Sequence, residues 1–300
     1  MYDVCILGGG PAGVTAAIYC ARYKLRTLLL SPDIGGWTRK AHRIENCPGF
    51  ASITGNDLAR SYEAHIAAND IDFRKEAVTG LMRTDNGFSI HSPSGTLDAK
   101  YVIYALGTKK RMLNIPGEKE YLGKGVCLCA TCDAPLFKSK NVAVLGGNDS
   151  GATSALLISE YASQVYLCEL MPKLPAEPIW QKRIQETGKI EVMLGDSAAE
   201  IIGDSKVRAI RMRSGKEIPV DGVFIEVGSD PESGLARALG AAVDKWGHLE
   251  VDRTQATTIK GLYAAGDVTN QSNYMRQIVA AQAEGAIAAQ SIYKKMLKGE

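Results

Sequence analysis

The sequence predicts an α/β fold that contains two βαβ units. Residues 4–17 align without a gap on residues 142–155, at a constant offset of 138, and half of the aligned positions are identical. Each copy reads as a short apolar run, a glycine turn and a helix of small residues. A second apolar run follows each helix, at 26–30 and at 164–168. The chain is therefore expected to repeat one supersecondary unit in two domains.

The first glycine turn predicts a nucleotide site. A helix that starts at such a turn directs backbone N–H groups and the positive end of its dipole toward a pyrophosphate. The turn runs from Gly8 to Gly13, and Gly10 stands at its middle position. Because glycine has no Cβ, the backbone there can approach a phosphate closely. The context that the motif requires, strand before and helix after, is present twice in this chain.

The second glycine turn departs from this pattern. Asn148 replaces the middle glycine; asparagine tolerates a positive φ, but its side chain takes space that a pyrophosphate would use. Glu169 follows the second strand, at a position where a carboxylate repels a 2′-phosphate. NADPH is therefore the least favoured nicotinamide cofactor, and NADH is permitted electrostatically. Ser31 is the equivalent residue of the first copy, so the usual acidic partner of a ribose is absent there too.

Composition narrows the class of partner. Three hundred residues exceed one typical domain, so two cores are expected. A net charge of +2 gives no field that favours nucleic acid or a membrane surface. No apolar run approaches the roughly 18 residues of a spanning helix, and the first strand leads into a glycine turn instead of a cleavage site. We therefore expect a cytoplasmic protein.

The remaining segments are assigned around the two units. Strands are expected at 72–75, 78–83 and 88–91, and a buried strand at 101–108 ends in a turn at Gly107. The second half repeats this order with a hairpin-like stretch at 207–220 and an apolar run at 222–228. Near the end, the segment 261–268 precedes a helix expected from about 274 to 295.

Two cysteines form a candidate redox couple. Cys129 and Cys132 are separated by two residues at a predicted helix start, where they can close a disulfide and where the helix dipole lowers a thiol pKa. Asp133, adjacent to the pair, is the best candidate for the general acid and base that thiol exchange requires. Burial would have to raise its pKa for that role.

A metal site is the structural alternative for these thiols. Cys127, Cys129 and Cys132 supply three ligands, whereas a structural zinc site needs four. A second C-x-x-C pair is absent and the four histidines show no ligand spacing near the first, so no metal is expected. Cys127 is expected to be a buried neighbour, with an alternative role as a resolving thiol. The seven cysteines, an odd number, do not resemble a secreted disulfide framework.

The chain resembles the low-molecular-weight thioredoxin reductases of the pyridine nucleotide-disulfide oxidoreductase superfamily along its whole length. Five motifs in order carry the resemblance: 8–13, 45–49, 105–108, 129–135, and Gly266-Asp267 followed by 276–278. The resemblance implies two Rossmann-like domains of three-layer ββα type, the second inserted into the first. It implies an FAD-binding domain at 1–112 plus 246–300, an inserted pyridine-nucleotide-like domain with the dithiol at 113–245, and a homodimer.

The resemblance also implies roles for individual residues. The first turn would hold the FAD pyrophosphate, Asp267 the ribityl or phosphate region, and 276–278 the pyrimidine end of the isoalloxazine. Cys132 would face the flavin, and Cys129 would attack the disulfide of the partner. Trp37 departs from the family, which usually has glutamine there; its indole could stack on a planar group or simply pack. The complete set of cofactor-binding candidates is Gly8, Gly10, Pro11, Ala12, Gly13, Ser31, Gly35, Gly36, Trp37, Asn46, Val78, Gly107, Gly266, Asp267, Arg276, Gln277 and Ile278.

The electron donor stays open at this point. Typical members carry GxGxxA and an arginine-rich stretch for NADPH, and this chain has neither. The leading expectation is an FAD-dependent reductase of thioredoxin or a thioredoxin-like protein that takes electrons from ferredoxin, a deazaflavin or a second flavin, because FAD can collect single electrons and deliver a pair. An NADH-dependent thioredoxin reductase is the alternative. An NADH-linked ferredoxin or peroxide-pathway reductase and a flavin-binding redox sensor are further hypotheses.

Overall fold

The computed structural model describes residues 1–299, which form two compact units. The first unit comprises Met1–Lys109 and the chain from Asp230 onward, and the second comprises Lys110–Ser229. The strands in chain order are β1 Tyr2–Leu7, β2 Thr27–Leu30, β3 Ile71–Arg74, β4 Gly80–Thr84, β5 Gly87–Ser92, β6 Gly95–Tyr104, β7 Thr108–Lys110, β8 Val126–Cys127, β9 Asn141–Leu145, β10 Gln164–Glu169, β11 Ile190–Leu194, β12 Ala198–Gly203, β13 Val207–Met212, β14 Glu217–Pro219, β15 Gly222–Ile225, β16 Ser229–Pro231 and β17 Leu262–Ala264.

Residues 1–299 contain seven α-helices. They are α1 Pro11–Arg22, α2 Gly55–Ala67, α3 Ala130–Asp133, α4 Asp149–Ser159, α5 Pro178–Thr187, α6 Gly234–Ala238 and α7 Ile278–Leu297, with 3-10 turns at Gly36–Lys40, Ala134–Phe137 and Ser272–Tyr274. Among residues 1–299, no helix has the length and apolar character needed to cross a membrane.

The first unit is a three-layer domain. Its sheet has the order β3-β2-β1-β6-β5-β4, with β17 also paired to β6; β1, β2, β3, β6 and β17 are parallel, and the β4–β5 hairpin is antiparallel. Because side chains alternate along a strand, Val4 and Ile6 face the core beneath α1, α2 and α7, whereas Cys5 and Leu7 face a second core with residues of β4 and β5.

The second unit repeats this topology. Its parallel sheet has the order β11-β10-β9-β15-β8. The strands β11, β10, β9 and β15 therefore correspond to β3, β2, β1 and β6 of the first unit. Residues of α4 and α5 fill the core on one face. The antiparallel strands β12, β13 and β14 fill the core on the other. The predicted α/β class with two Rossmann-like three-layer domains is therefore confirmed.

Both unit boundaries differ from the sequence expectation: the first segment of the first unit ends at Lys109 instead of residue 112, and the chain returns to this unit at Asp230 instead of residue 246. Residues 230–245 were expected in the inserted domain, but the structure places them in the first unit. The hydroxyl of Tyr104 donates to the carbonyl of Glu232 at 2.7 Å, and the hydroxyl of Ser233 donates to the carbonyl of Gly247 at 2.7 Å. Ala236 is completely buried in the core with β1 and β6. These contacts hold residues 230–245 in the first unit, and the amino-acid composition of the segment does not predict them.

The last helix also begins later than expected. The predicted start near 274 is wrong, because Ser272, Asn273 and Tyr274 all have left-handed φ values of 53°, 50° and 56°. Gln277 is extended at φ −126° and ψ 152°, and α7 starts at Ile278. The non-glycine residues at 272–274 adopt a backbone conformation that local propensity does not favour.

Candidate functional site: a flavin cradle and a redox disulfide

The first glycine turn forms an open cradle at the start of α1. Gly8 has φ +107°, and a Cβ on it would lie 2.3 Å from the carbonyl oxygen of Ala105. A Cβ on Gly13 would lie 1.8 Å from the carbonyl oxygen of Gly8, which is why α1 can approach the strand so closely. Gly10 is extended, and nothing lies within 4 Å of its Cβ direction. The helix starts at Pro11 without a side-chain cap, so its first N–H groups can receive an anion.

The loop after β2 lies beside this cradle. The hydroxyl of Ser31 accepts the N–H of Gly9 at 2.9 Å, and the N–H of Gly35 donates to the carbonyl of Gly9 at 2.7 Å. A Cβ on Gly36 would lie 3.4 Å from the Cα of Gly10. The glycine pair and Ser31, all cofactor-binding candidates, therefore lie beside the turn.

Trp37 is held by two contacts. Its indole Nε1 donates to the carbonyl of Thr108, next to Gly107, at 2.6 Å. The ammonium of Lys40 lies 4.4 Å from the centroid of the ring. Of the two roles that the sequence left open, these contacts favour packing. Val78 lies between β3 and β4 and is half-buried against the core of the sheet.

The Gly266–Asp267 turn meets the start of α1. Gly266 has φ +82°, and a Cβ on it would lie 3.0 Å from the Cβ of Ala12. Its N–H donates at 2.7 Å to the carboxylate of Glu284, which also accepts the hydroxyl of Thr269 at 3.0 Å. Burial raises the pKa of the Asp267 carboxyl, and the Arg276 guanidinium opposes this shift. Sequence reasoning missed Glu284, although a single buried acid in a helix of small residues was the available signal.

The segment before α7 contains an unsatisfied donor. Asn46 Nδ2 donates to Gln277 Oε1 at 3.0 Å, which joins two flavin candidates that are 231 residues apart. Arg276 Nη1 donates to the carbonyl of Thr269 at 2.9 Å, whereas its Nη2 is buried and has no hydrogen-bond partner among residues 1–299. A buried N–H group without a partner is costly. Ile278, which begins α7, is half-buried.

These residues fit a flavin dinucleotide. The open N–H groups at α1 suit a pyrophosphate, and the unpaired Arg276 Nη2 suits an electron-rich ring edge. All of the cofactor-binding candidates lie in the first unit, and all three catalytic candidates lie in the second.

The redox couple is a disulfide in the second unit. Cys129 and Cys132 are bonded, with a Cα–Cα distance of 5.3 Å. Cys129 is the N-cap of the four-residue helix α3, and its carbonyl accepts the N–H groups of Cys132 and Asp133 at 3.2 and 3.1 Å. Cys132 is exposed and Cys129 is half-buried. Among the described residues, no group of three metal-ligating side chains could hold an ion.

Asp133 and Cys127 interact behind the disulfide. Asp133 is half-buried, and Cys127 is buried at the end of β8. Burial, together with the charge and hydrogen bond of Asp133, raises the pKa of the Cys127 thiol to about 12. A thiol that stays protonated at neutral pH is a poor nucleophile. The alternative of Cys127 as a resolving thiol therefore loses support, whereas its position next to Asp133 identifies a neighbour of the candidate acid.

The second glycine turn is closed by its own side chain. The positive φ of this turn belongs to Gly146, at +107°, whereas Asn148 is extended at φ −71° and ψ −178°, so the left-handed conformation considered for Asn148 is not used. Asn148 Oδ1 accepts the N–H of Gly151 at 3.0 Å, and its Nδ2 donates to the carbonyl of Glu226 at 3.0 Å. The side chain caps α4 at the position where a phosphate oxygen would bind.

The ribose position of the second unit is occupied as well. Glu169 accepts the N–H of Gly147 at 2.6 Å through Oε2 and the N–H of Met171 at 2.9 Å through Oε1. A Cβ on Gly147 would lie 2.5 Å from a methyl group of Leu174, so the loop after β10 folds over the turn. Both carboxylate oxygens of Glu169 are therefore engaged within the protein.

A buried ion pair lies at the same end of the second sheet. Lys110 Nζ is 2.7 Å from Glu226 Oε1, which also accepts the hydroxyl of Ser154 at 3.0 Å. The two charged side chains are only 16% and 7% exposed. Burial raises the pKa of Glu226, and Lys110 and Ser154 oppose the shift. Paired protein charge therefore lies at the end of the sheet where α/β proteins commonly bind ligands.

Two Rossmann-like units, an anion cradle and a C-x-x-C disulfide define a flavoprotein of the disulfide oxidoreductase type. The family model described as "Pyridine nucleotide-disulphide oxidoreductase" matches residues 2–285. The chain therefore belongs to the pyridine nucleotide-disulphide oxidoreductase family, and FAD is its cofactor.

Solved structures and curated relatives agree with this family. The thioredoxin reductase of T. acidophilum is 38% identical, with 99% of each chain covered and a TM-score of 0.93. That of Lactococcus lactis is 34% identical over 99% of this chain and 100% of its own, with a TM-score of 0.95. A ferredoxin-flavin thioredoxin reductase from Clostridium acetobutylicum is 32% identical over 99% and 98%, with a TM-score of 0.54. An alkyl hydroperoxide reductase chain from Staphylococcus aureus strain MRSA252 is 35% identical over 308 residues, and the present chain spans 59% of its length.

Proposed function

We propose that this protein is an FAD-dependent disulfide reductase that takes electrons from a donor other than NADPH and passes them through Cys129 and Cys132 to thioredoxin or a thioredoxin-like protein. The cap that Asn148 forms on α4 carries the proposal about the donor, because the same position in the FAD-binding unit is open at Gly10. Ferredoxin is the favoured donor, supported by the name of the Clostridium acetobutylicum relative.

The dithiol chemistry follows from the residues of the second unit. FAD, when bound, supplies the capacity to accept electrons singly and to deliver a pair. Two electrons and two protons convert the Cys129–Cys132 disulfide into two thiols. The Cys129 thiolate then attacks one sulfur of the partner's disulfide, which forms a mixed disulfide and releases the partner's other sulfur as a thiol. Cys132 next attacks Cys129, which re-forms the Cys129–Cys132 disulfide and releases the partner's remaining sulfur as a thiol. Asp133 removes a proton from the attacking thiol and returns one to the leaving thiolate.

NADH is the second candidate donor, because Glu169 does not exclude a ribose with a free 2′-hydroxyl. Its carboxylate is already used by two backbone N–H groups, and Leu174 lies against the turn, so this candidate is weaker. A homodimer and a cytoplasmic location complete the proposal through the family resemblance, and sedimentation analysis of the holoprotein tests the dimer.

The deciding experiment is an anaerobic titration of the oxidised holoprotein with NADPH, NADH and reduced ferredoxin, followed by flavin absorbance. We expect bleaching by reduced ferredoxin and none by NADPH within the time of a turnover. Fast bleaching by NADPH would contradict the donor assignment. Bleaching that is not reversed by oxidised thioredoxin would favour a redox sensor over an enzyme.

The disulfide assignment is tested separately with Cys132→Ser and Cys129→Ser. Each variant is expected to bind FAD as the wild type does and to lose at least about 1000-fold of its thioredoxin reduction, since a single thiol cannot resolve a mixed disulfide. Cys168→Ala is the matched control, because Cys168 is a buried cysteine of the same unit. Turnover retained by either serine variant removes that cysteine from the mechanism.

A further inference from the structure

We infer that Tyr274 is a positioning residue for the flavin: it holds the Arg276 guanidinium so that its unpaired N–H is presented to the pyrimidine end of the isoalloxazine. Neither the family assignment nor the sequence motifs give Tyr274 a role. The inference rests on the proposed location of Arg276 at the flavin, and separate variants of the two residues distinguish one assignment from the other.

Tyr274 lies at the centre of a group of contacts in the first unit. Its hydroxyl donates to Asp244 Oδ2 at 2.8 Å. Its ring packs edge-on against Trp246, with centroids 5.2 Å apart, and against His248 at 5.4 Å. The guanidinium carbon of Arg276 lies 5.2 Å from the ring centroid, within cation–π range. The Tyr274 side chain thus contacts both the Arg276 guanidinium and the Asp244 carboxylate.

The carboxylate that anchors Tyr274 is itself fixed. Asp244 Oδ1 accepts the N–H groups of Trp246 and His248 at 2.8 and 3.0 Å, and His248 Nδ1 lies 3.4 Å from Oδ2. Burial opposes ionisation, but the hydrogen bonds from Tyr274 and from these backbone groups hold the pKa of Asp244 below its usual value. Asp244 is therefore a charged acceptor at neutral pH, and a hydrogen bond to a charged group is stronger than a neutral one.

The backbone around Tyr274 is conformationally strained. Ser272, Asn273 and Tyr274 are three consecutive non-glycine residues in the left-handed region. This region is unfavourable for residues that have a Cβ, and such strain persists only where the surroundings impose it. The Ser272 hydroxyl donates to Glu284 Oε1 at 2.6 Å, and Gln271 Nε2 donates to the carbonyl of Val251 at 2.7 Å. These two side chains hold the start of the turn, and the hydrogen bond from Tyr274 to Asp244 holds its end.

The strained turn positions the guanidinium of Arg276. Two residues after Tyr274, Arg276 is pinned through Nη1 to Thr269, and its Nη2 is buried with no hydrogen-bond partner in residues 1–299. Gln277, the next residue, is joined to Asn46. A buried guanidinium N–H that the protein leaves unpaired indicates a ligand acceptor. A positive charge fixed there favours the reduced, electron-rich flavin and raises its reduction potential.

The experiment measures the flavin midpoint potential of holoprotein variants in a Cys129→Ser, Cys132→Ser background, so that only the flavin titrates. Arg276→Gln is expected to disfavour reduction about tenfold, which is about 30 mV for a two-electron couple. Tyr274→Leu, which loses the ring and the hydroxyl, is expected to approach that shift. Tyr274→Phe keeps the ring and is expected to shift the reduction equilibrium about threefold.

Tyr2→Phe is the matched control. The Tyr2 hydroxyl also donates to a carboxylate, that of Asp72, and its ring also lies near an arginine, Arg26 at 5.0 Å. Tyr2 starts β1, at the opposite end of the strand from the glycine turn. We expect its replacement to leave the potential unchanged.

The outcomes separate the two assignments. A potential that shifts in Arg276→Gln but not in Tyr274→Leu overturns the role of Tyr274 alone. No shift in either variant places Arg276 away from the flavin and overturns both. Should Tyr274→Leu not retain FAD, the Tyr274→Phe potential and the FAD dissociation constant of its apoprotein decide; wild-type values for both would contradict the inference.

Discussion

The two glycine turns permit a reciprocal test of what opens a phosphate site. Gly10 and Asn148 have the same backbone conformation, at φ −70°, ψ −179° and φ −71°, ψ −178°. Asparagine therefore fits at position 10 without strain, and nothing obstructs its side chain within 4 Å of the Cβ. In Gly10→Asn the new side chain is expected to accept the N–H of Gly13, as Asn148 accepts that of Gly151, and to compete with FAD for this donor.

The magnitude follows from the hydrogen bond that FAD would lose. A hydrogen bond to a charged group contributes about 1.5–3 kcal/mol, and about 1.4 kcal/mol corresponds to a factor of ten in affinity. Gly10→Asn should therefore bind FAD roughly ten- to a hundredfold more weakly. Exchanging glycine for asparagine at an N-cap changes helix stability by only a few tenths of a kcal/mol. The apoprotein is thus expected to keep its melting temperature, which distinguishes loss of FAD from misfolding.

The assay is the dissociation constant of FAD, measured by quenching of its fluorescence on apoprotein. Gly10→Ala is the control, because it adds a Cβ to open space but provides no cap, and it should weaken binding far less. In the converse variant, Asn148→Gly, calorimetry with NAD⁺ should show about tenfold tighter binding, with a smaller gain for NADP⁺ because of Glu169. Gly10→Asn with wild-type FAD affinity would refute the reasoning.

Two further predictions concern buried ionisable groups of the second unit and the free cysteines. Lys110→Met leaves Glu226 buried without its partner and should cost about 3–5 kcal/mol of unfolding free energy at pH 8. Without Lys110 the folded pKa of Glu226 lies further above its unfolded value, so the loss of unfolding free energy should shrink as the pH falls toward 4. Urea unfolding at pH 8 and pH 5 measures this loss. Equal losses at the two pH values would contradict the prediction. Burial raises the pKa of all five free cysteines, to about 12 for Cys20, Cys127 and Cys168 and also above the usual value for Cys5 and Cys47. Iodoacetamide at pH 8 should therefore label only Cys129 and Cys132 in the reduced native protein. Rapid labelling of a third cysteine, seen by mass spectrometry, would show that a buried thiol is accessible.

The architecture was largely predictable from the sequence because it depends on local, repeated patterns. The offset of 138 residues located both glycine turns, and β1, β2, β9 and β10 lie where the apolar runs predicted them. Strand alternation and helix periodicity are properties of neighbouring residues, so one sequence contains them. The dithiol was equally visible, since its two cysteines are separated by only two residues.

The features that escaped prediction depend on contacts between distant residues. The boundary at 230 follows from contacts to Tyr104 and Gly247, and the late start of α7 follows from a turn held by Glu284 and Asp244. The sequence marked Asn148 as a departure from the glycine pattern, but it could not show the cap on Gly151 or the bond to Glu226, because both require the folded geometry. Side-chain pairing of this kind leaves no period in the sequence.

The two units satisfy the same helix terminus in different ways, because a side chain caps α4 and none caps α1. In the second unit, Asn148 satisfies α4, Glu169 satisfies the turn, and Lys110 neutralises Glu226, so the described groups at this crevice are paired without a nucleotide. In the first unit, α1 has no side-chain cap and Arg276 Nη2 has no protein partner in residues 1–299. Unpaired buried donors destabilise a protein, and a ligand that pairs with them stabilises the folded state in proportion to its affinity. The open donors therefore couple the stability of the first unit to FAD, whereas the corresponding groups of the second unit are paired within the protein.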